Sequence, residues 1–137
     1  DAHGIELVEF ANTIPTREGG AAILDDLLES AATAIMGYND LMMLGVLQAA
    51  TARGVSIPGE LSLVGFDDIF GSDFTVPALT TIRSPLAEAG RRAVRAVLGI
   101  EDPHDLLPPE LVVRDSTGAA PSRTAPDSAP PSGDPTA

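Results

Sequence analysis

The chain has 137 residues, 44% of them hydrophobic, with four Phe, one Tyr and no Trp, so that its core is expected to be aliphatic. The formal net charge is −12 and every basic residue is Arg, a balance that repels nucleic-acid phosphates and excludes DNA binding by this chain alone. The absence of cysteine excludes disulfides and thiolate metal ligands, and no apolar run reaches the ~18 residues that cross a membrane.

The first two predicted elements are a strand and a helix. Apolar and polar residues alternate over residues 5–10, which predicts a strand. Thr16 then has the chemistry of a helix N-cap, and apolar residues spaced by three and four predict one amphipathic helix from there to about Ser30. The acidic outer face of this helix is interpreted as solvated, because no histidine accompanies it.

Two further predicted strands end in polar residues. A strand over residues 34–37 runs into Asn39 and Asp40, which open a second helix that ends before Gly54. The apolar run at residues 61–66 predicts a strand buried on both faces, and it stops at Asp67. In open α/β sheets, ligands bind beyond the carboxyl ends of the strands, so Asn39 and Asp67 are expected at the same edge.

The remaining ordered part is predicted as a strand, a helix and an edge strand. These cover residues 79–83, 85–98 and 111–114, and the prolines before the last strand favour an edge position. The alternation of strands and helices predicts an α/β fold with a parallel sheet and helices on both faces. Residues 118–137, rich in Pro, Ala and Ser, are expected to be a disordered tail that can be deleted without changing the melting temperature.

Each polar pair at a strand end allows two interpretations. One member of the Asn39–Asp40 pair could simply cap the helix, or Asp40 could hold the helix start while Asn39 faces a hydroxylated ligand. Asp67 and Asp68 could satisfy loop amides or hold Mg²⁺, although no phosphate-binding loop and no third acid at fixed spacing supports phosphoryl-transfer chemistry.

Other chemistry has little support in the sequence. The two histidines, His3 and His104, are isolated from each other and from the acidic pairs. No Gly-x-Ser-x-Gly elbow is present for a serine nucleophile. We therefore expect no catalysed reaction, no metal and no cofactor.

Five segments, in order and at matching spacing, resemble the C-terminal half of a LacI/GalR-family transcriptional regulator. They are YNDLMMLG at 38–45, GVSIP at 54–58, LSLVGFDDI at 61–69, PALTTIR at 77–83 and LPPELVVRDST at 107–117. The resemblance covers about residues 5–117.

The resemblance implies a type I periplasmic-binding-protein-like fold, in which an effector lies between two α/β subdomains. Residues 1–117 would be a partial effector-binding domain, with about 1–82 and 106–117 in the C-terminal subdomain and a helix at about 85–100 in the N-terminal one. The family's effector contacts carry over to Asn39 and Asp67. A third contact falls near Pro15, where the family often has an aromatic residue.

The resemblance further implies a cytoplasmic, homodimeric regulator whose partners are a sugar or similar small effector and, through a headpiece absent from this sequence, DNA. The sequence opens on Asp1 close to a predicted strand, which suggests a piece of a larger protein. One alternative is part of a secreted sugar-binding protein that feeds an ABC transporter. Another is a Mg²⁺-dependent enzyme that uses Asp67 and Asp68.

Overall fold

The computed structural model describes residues 5–10, 14–100 and 105–121, and these ranges contain four helices and four strands. The helices are α1 Arg17–Ala22, α2 Leu24–Glu29, α3 Asp40–Ala52 and α4 Leu86–Val97. The strands are β1 Ala34–Met36, β2 Ser62–Phe66, β3 Thr80–Arg83 and β4 Glu110–Val112. None of the helices in these ranges is both long and apolar enough to cross a bilayer.

The four strands form one mixed sheet in the order β1-β2-β3-β4. β1 and β3 both run parallel to β2, whereas β4 pairs antiparallel to β3, with Arg83 opposite Glu110. The predicted α/β class and the edge position of the last strand are confirmed. The prediction of a wholly parallel sheet is wrong at β4, because the chain returns to β3 from the same end at which it left.

The core lies between α3 and β2 and is aliphatic, as the composition predicts. Five of the ten buried hydrophobic residues come from α3, and β2 and its flanks add Leu61 and Leu63. Full burial of one such Leu, Val or Met side chain contributes about 1.5–3 kcal/mol. α3 is therefore the element that holds α1 and α2 to the sheet.

Glycines bring α1 and α3 into backbone contact. A Cβ atom added to Gly45 of α3 would lie 2.0 Å from the carbonyl oxygen of Arg17, and one added to Gly20 of α1 would lie 2.0 Å from that of Met42. No larger residue fits at either position without separating the helices. This contact fixes the loop before α1 close to the start of α3.

Two predictions for the N-terminal part are wrong. Residues 5–10 do not form a strand, because they pair with no strand of the described ranges. They line an open groove of about 1020 Å³ beside β1, and Leu7 is 88% exposed. The single helix predicted from Thr16 to Ser30 is two helices, because the backbone at Ile23 departs from helical geometry, with φ −87° and ψ 0°.

The helix predicted over residues 85–98 is present as α4, but none of its residues is buried. α4 belongs to an excursion, residues 84–109, that the chain makes between β3 and β4. Near the C-terminal end of the described residues, the Gly118 amide donates to Ser62 Oγ at 3.2 Å. The tail predicted to be disordered lies from residue 122 onward outside the described residues, as do His3 and His104.

Candidate functional site

The candidate site lies at the carboxyl ends of β1 and β2. The Gly37 amide donates to the Val64 carbonyl at 2.9 Å, which holds the two strand ends side by side. Asn39 follows β1 by three residues and Asp67 follows β2 directly. Both therefore stand at one edge of the sheet, as the sequence predicts for the ends of parallel strands.

Asn39 caps α3 and contacts the loop before α1. Its Oδ1 accepts from the Met42 amide at 2.9 Å, and its Nδ2 donates to the Pro15 carbonyl at 3.2 Å. The structure thus brings together two of the three residues proposed for effector contact. A primary amide has two N–H groups and two lone pairs, so Asn39 keeps one of each for a ligand.

Asp40 has a different role from the one considered in the sequence. Asn39, not Asp40, is the N-cap, while the fully buried carboxylate of Asp40 accepts from the Ile69 amide at 2.9 Å, Ser72 Oγ at 2.7 Å and Thr81 Oγ1 at 2.5 Å. Asp40 therefore ties the start of α3 to β3 and to the loop that follows β2.

Gly65 provides the space for this carboxylate. A Cβ atom at position 65 would lie 2.0 Å from Asp40 Oδ1. The glycine before Phe66 in β2 is thus required by packing against a buried acid. Its backbone flexibility is not the reason, because its φ is not positive.

Asp67 is held by its backbone while its carboxylate stays free. Its amide donates to the Ile82 carbonyl at 2.9 Å, and its φ is +105°, a conformation that residues with a side chain rarely adopt. Among the described residues the carboxylate accepts no hydrogen bond. Asp67 is half-buried, so its carboxylate stands at the strand-end edge without a partner in the part of the chain that the structure describes.

Asp68, in contrast, is fully engaged. Its carboxylate accepts from Arg83 Nε at 2.7 Å and from Arg114 Nη2 at 2.6 Å. Burial of the Asp68 carboxyl on its own raises its pKa, but the hydrogen bonds and charges of Arg114 and Arg83 outweigh burial and hold the pKa below its ordinary value.

The pairing of Asp68 with two arginines leaves Asp67 without a second free carboxylate for Mg²⁺. Within residues 5–10, 14–100 and 105–121, no group of three or more His, Asp or Glu residues could hold a metal ion.

Sequence reasoning missed the partners of Asp40 and Asp68. Thr81, Arg83 and Arg114 lie in the segments that carry the family resemblance, but nothing in their spacing indicates which carboxylate each one contacts. A physical argument does indicate that partners must exist. Acids next to a buried strand need hydrogen-bond donors, and the predicted elements nearby contain few basic residues that could be those donors.

Together, the fold and this edge define an open-sheet α/β domain with polar groups at the carboxyl ends of parallel strands. The family model described as "Periplasmic binding protein-like domain" matches residues 1–117, and the chain belongs to this family.

Its relatives are LacI/GalR-type transcriptional regulators. The regulator MalR of Streptomyces coelicolor is 42% identical over 122 residues, which cover 85% of this chain and 35% of the relative. The chain thus spans about a third of that relative's length.

Solved structures agree with this assignment. The Escherichia coli repressor AscG superposes with a TM-score of 0.74 at 35% identity, over 86% of this chain and 46% of that one. A LacI-family regulator from Enterococcus faecium with bound ribose has a TM-score of 0.70 at 33% identity, over 81% of this chain and 43% of that one.

Proposed function

We propose that this chain is the effector-binding part of a LacI/GalR-type transcriptional regulator and that its effector is a sugar or another small polyhydroxylated molecule. The observation that carries the proposal is the free carboxylate of Asp67, held on a strained backbone at the edge where Asn39 also has hydrogen-bonding capacity left. The ribose bound to the Enterococcus faecium relative supports the ligand class.

The chemistry of the edge fits hydroxyl groups. Asp67 supplies two acceptor oxygens, and Asn39 supplies one remaining donor and one remaining acceptor, a combination that a sugar hydroxyl pair satisfies. Pro15 is exposed and its carbonyl is already bonded to Asn39, so at this position the chain offers an aliphatic ring and no aromatic plane. Charge-assisted bonds to Asp67 are expected to contribute most of the affinity.

In the parent regulator, we propose that residues 1–82 and 106–117 form one subdomain and that the helix at 85–100 belongs to another. The exposed surface of α4 supports this division. Closure of the two subdomains on the effector would change the spacing of DNA-binding headpieces in a homodimer, so that effector and DNA affinities are linked. A cytoplasmic location is part of the same proposal.

The two alternative functions have less support. The matched relatives are transcriptional regulators, which does not favour part of a transporter's sugar-binding protein. Regulators of this family are not enzymes, which agrees with the expectation that no reaction is catalysed. Asp68 is bonded to two arginines, so the Asp67–Asp68 pair offers a metal only one free carboxylate.

The test is calorimetry of the full-length gene product with a panel of free sugars that begins with ribose. Replacement Asp67→Ala is expected to weaken binding by about 10- to 100-fold, since a hydrogen bond to a charged group contributes ~1.5–3 kcal/mol. Asp73→Ala is the matched control, because Asp73 is an exposed acid on the same loop. Unchanged affinity in a folded Asp67→Ala protein removes Asp67 from the site.

A further inference from the structure

The excursion that carries α4 has a narrow base. The chain leaves the sheet at Arg83 and returns at Glu110, and these two residues are opposite each other in the β3–β4 ladder. Their side chains are also paired, with Arg83 Nη1 3.2 Å from Glu110 Oε2. The direction in which the excursion leaves the sheet therefore depends on what fixes these residues.

Asp68 contacts this base from the strand-end loop. One carboxylate oxygen accepts from Arg83, the last residue of β3, and the other from Arg114, which follows β4 by two residues. Arg114 Nη1 also donates to the Leu79 carbonyl at 2.7 Å, and the Asp68 amide donates to Thr81 Oγ1 at 3.3 Å. One acidic side chain thus joins the two strands between which the excursion lies.

The pairs with Asp68 are the ones expected to matter. Glu110 is 69% exposed, and ion pairs of this kind contribute little. The side chains of Asp68 and Arg114 are only 11% and 17% exposed, so their pair is largely shielded from water. Within the described ranges, removing the Asp68 charge leaves Arg114 without a carboxylate and leaves Arg83 paired with the exposed Glu110.

We propose that Asp68 is a positioning residue that sets the orientation of the α4 excursion and joins it to the loop that carries Asp67. Asp67 and Asp68 are adjacent and both have positive φ, +105° and +52°, so the conformation of one restricts that of the other. Any effect of Asp68 on ligand binding rests on the proposed function. Its role in positioning α4 does not.

Loss of the Asp68 charge is expected to loosen α4 relative to the sheet. Because the chain has no cysteine, two can be introduced for spin labels, Ala52→Cys at the end of α3 and Ala96→Cys on α4, both at exposed positions. Labelled chain is diluted with unlabelled chain, and the distance distribution is measured by pulsed electron resonance. In Asp68→Asn the distribution is expected to become roughly twofold broader, since a shielded ion pair is broken.

Two variants serve as controls. Asp73→Asn removes an exposed acid of the same loop, and Glu110→Gln removes the exposed partner of Arg83; both are expected to leave the width nearly unchanged. Arg114→Gln breaks the same shielded pair from the arginine side, is expected to broaden the distribution as Asp68→Asn does, and tests the proposal if Asp68→Asn does not fold.

A merely structural role for Asp68 predicts a different result. Its loss would then lower the melting temperature while the distance distribution of the folded protein keeps its width, and that outcome overturns the proposal. The measurement contains no ligand, so failure to bind sugars contradicts the proposed function without affecting this result.

Discussion

Asp40 is a charged residue that its own chain encloses completely. Its carboxylate joins α3, β3 and the loop after β2 through three hydrogen bonds, and Gly65 leaves the room that it needs. A buried carboxylate is tolerated only when such donors are present. The second residue of the Asn-Asp pair is therefore a structural residue, and the first is the one that keeps unused hydrogen-bonding capacity.

We expect Asp40→Ala to lower the free energy of unfolding by about 3 kcal/mol or more, because an unsatisfied buried donor costs ~1–3 kcal/mol and three donors lose their acceptor. Urea unfolding followed by circular dichroism measures the change. Asp73→Ala, on the exposed part of the same loop, should stay close to the unaltered protein. Equal stability of the two variants contradicts the assigned role of Asp40.

Asp68 should make stability depend on pH in a defined direction. Its pKa is lowered in the folded protein, so its contribution is present above the unfolded value of ~3.9 and is lost as the pH falls through the lower folded pKa. The difference in unfolding free energy between the unaltered protein and Asp68→Asn should be largest near neutral pH and shrink below about pH 4. A difference that is constant from pH 7 to the acid limit contradicts the ionised pair, and urea unfolding at a series of pH values decides.

Among the elements, the α1–α3 contact is the most sensitive to added volume. Gly45→Ala places a Cβ atom against the Arg17 carbonyl, and backbone cannot move aside as a side chain can. We expect a loss of about 1–3 kcal/mol from overpacking, although alanine is the better helix former.

Gly90→Ala is a matched control for this prediction. Gly90 lies inside α4, and a Cβ atom there meets nothing within 4 Å, so only the helix propensity changes. Thermal unfolding of both variants should show a lower midpoint for Gly45→Ala and an unchanged or higher one for Gly90→Ala. The opposite order contradicts the backbone contact.

Elements with strong local patterns could be predicted from the sequence, and those that depend on partners could not. The apolar run at residues 61–66 and the capped apolar stripe after Asn39 correspond to β2 and α3. Residues 5–10 alternate correctly for a strand, but alternation only describes which face would be buried if a neighbour supplied hydrogen bonds. The break at Ile23 separates α1, which packs against α3, from α2, and apolar spacing does not encode such a break.

For the candidate site, the sequence located the edge but not the bonding within it. The family resemblance predicts Asn39 and Pro15 as separate contacts, and the structure adds the hydrogen bond that joins them. Asp67 and Asp68 are chemically identical neighbours, and only their backbone directions make one free and the other paired with two arginines. Such a difference is set by tertiary contacts, so a single sequence could not assign it.

For the molecule as a whole, α4 is the described helix or strand that leaves the most large apolar side chains exposed to solvent. Leu86, Val94 and Val97 are 65%, 60% and 87% exposed. Burial of each contributes about 1.5–3 kcal/mol, and together they are comparable with the stability of a small domain.

We expect this chain to self-associate through α4 rather than to fold the helix back, because the Arg83-to-Leu86 connection is short. Sedimentation at tens of micromolar should show a species heavier than the monomer, in the affinity range that a few buried side chains provide. Val94→Glu should restore the monomer, whereas Phe70→Glu, at an exposed loop position far from α4 in sequence, should not. A monomer at all concentrations contradicts the expectation.

The antiparallel pairing of Arg83 with Glu110 also makes β3 and β4, topologically, a β-hairpin whose connection contains α4. Facing residues at the end of an antiparallel pair can be connected by a two-residue turn such as Asn-Gly. Residues 84–109 could therefore be replaced by that turn without breaking a ladder bond between β3 and β4. The result would be a miniature single-sheet domain in which the Asn39 and Asp67 edge is retained and the exposed helix is gone.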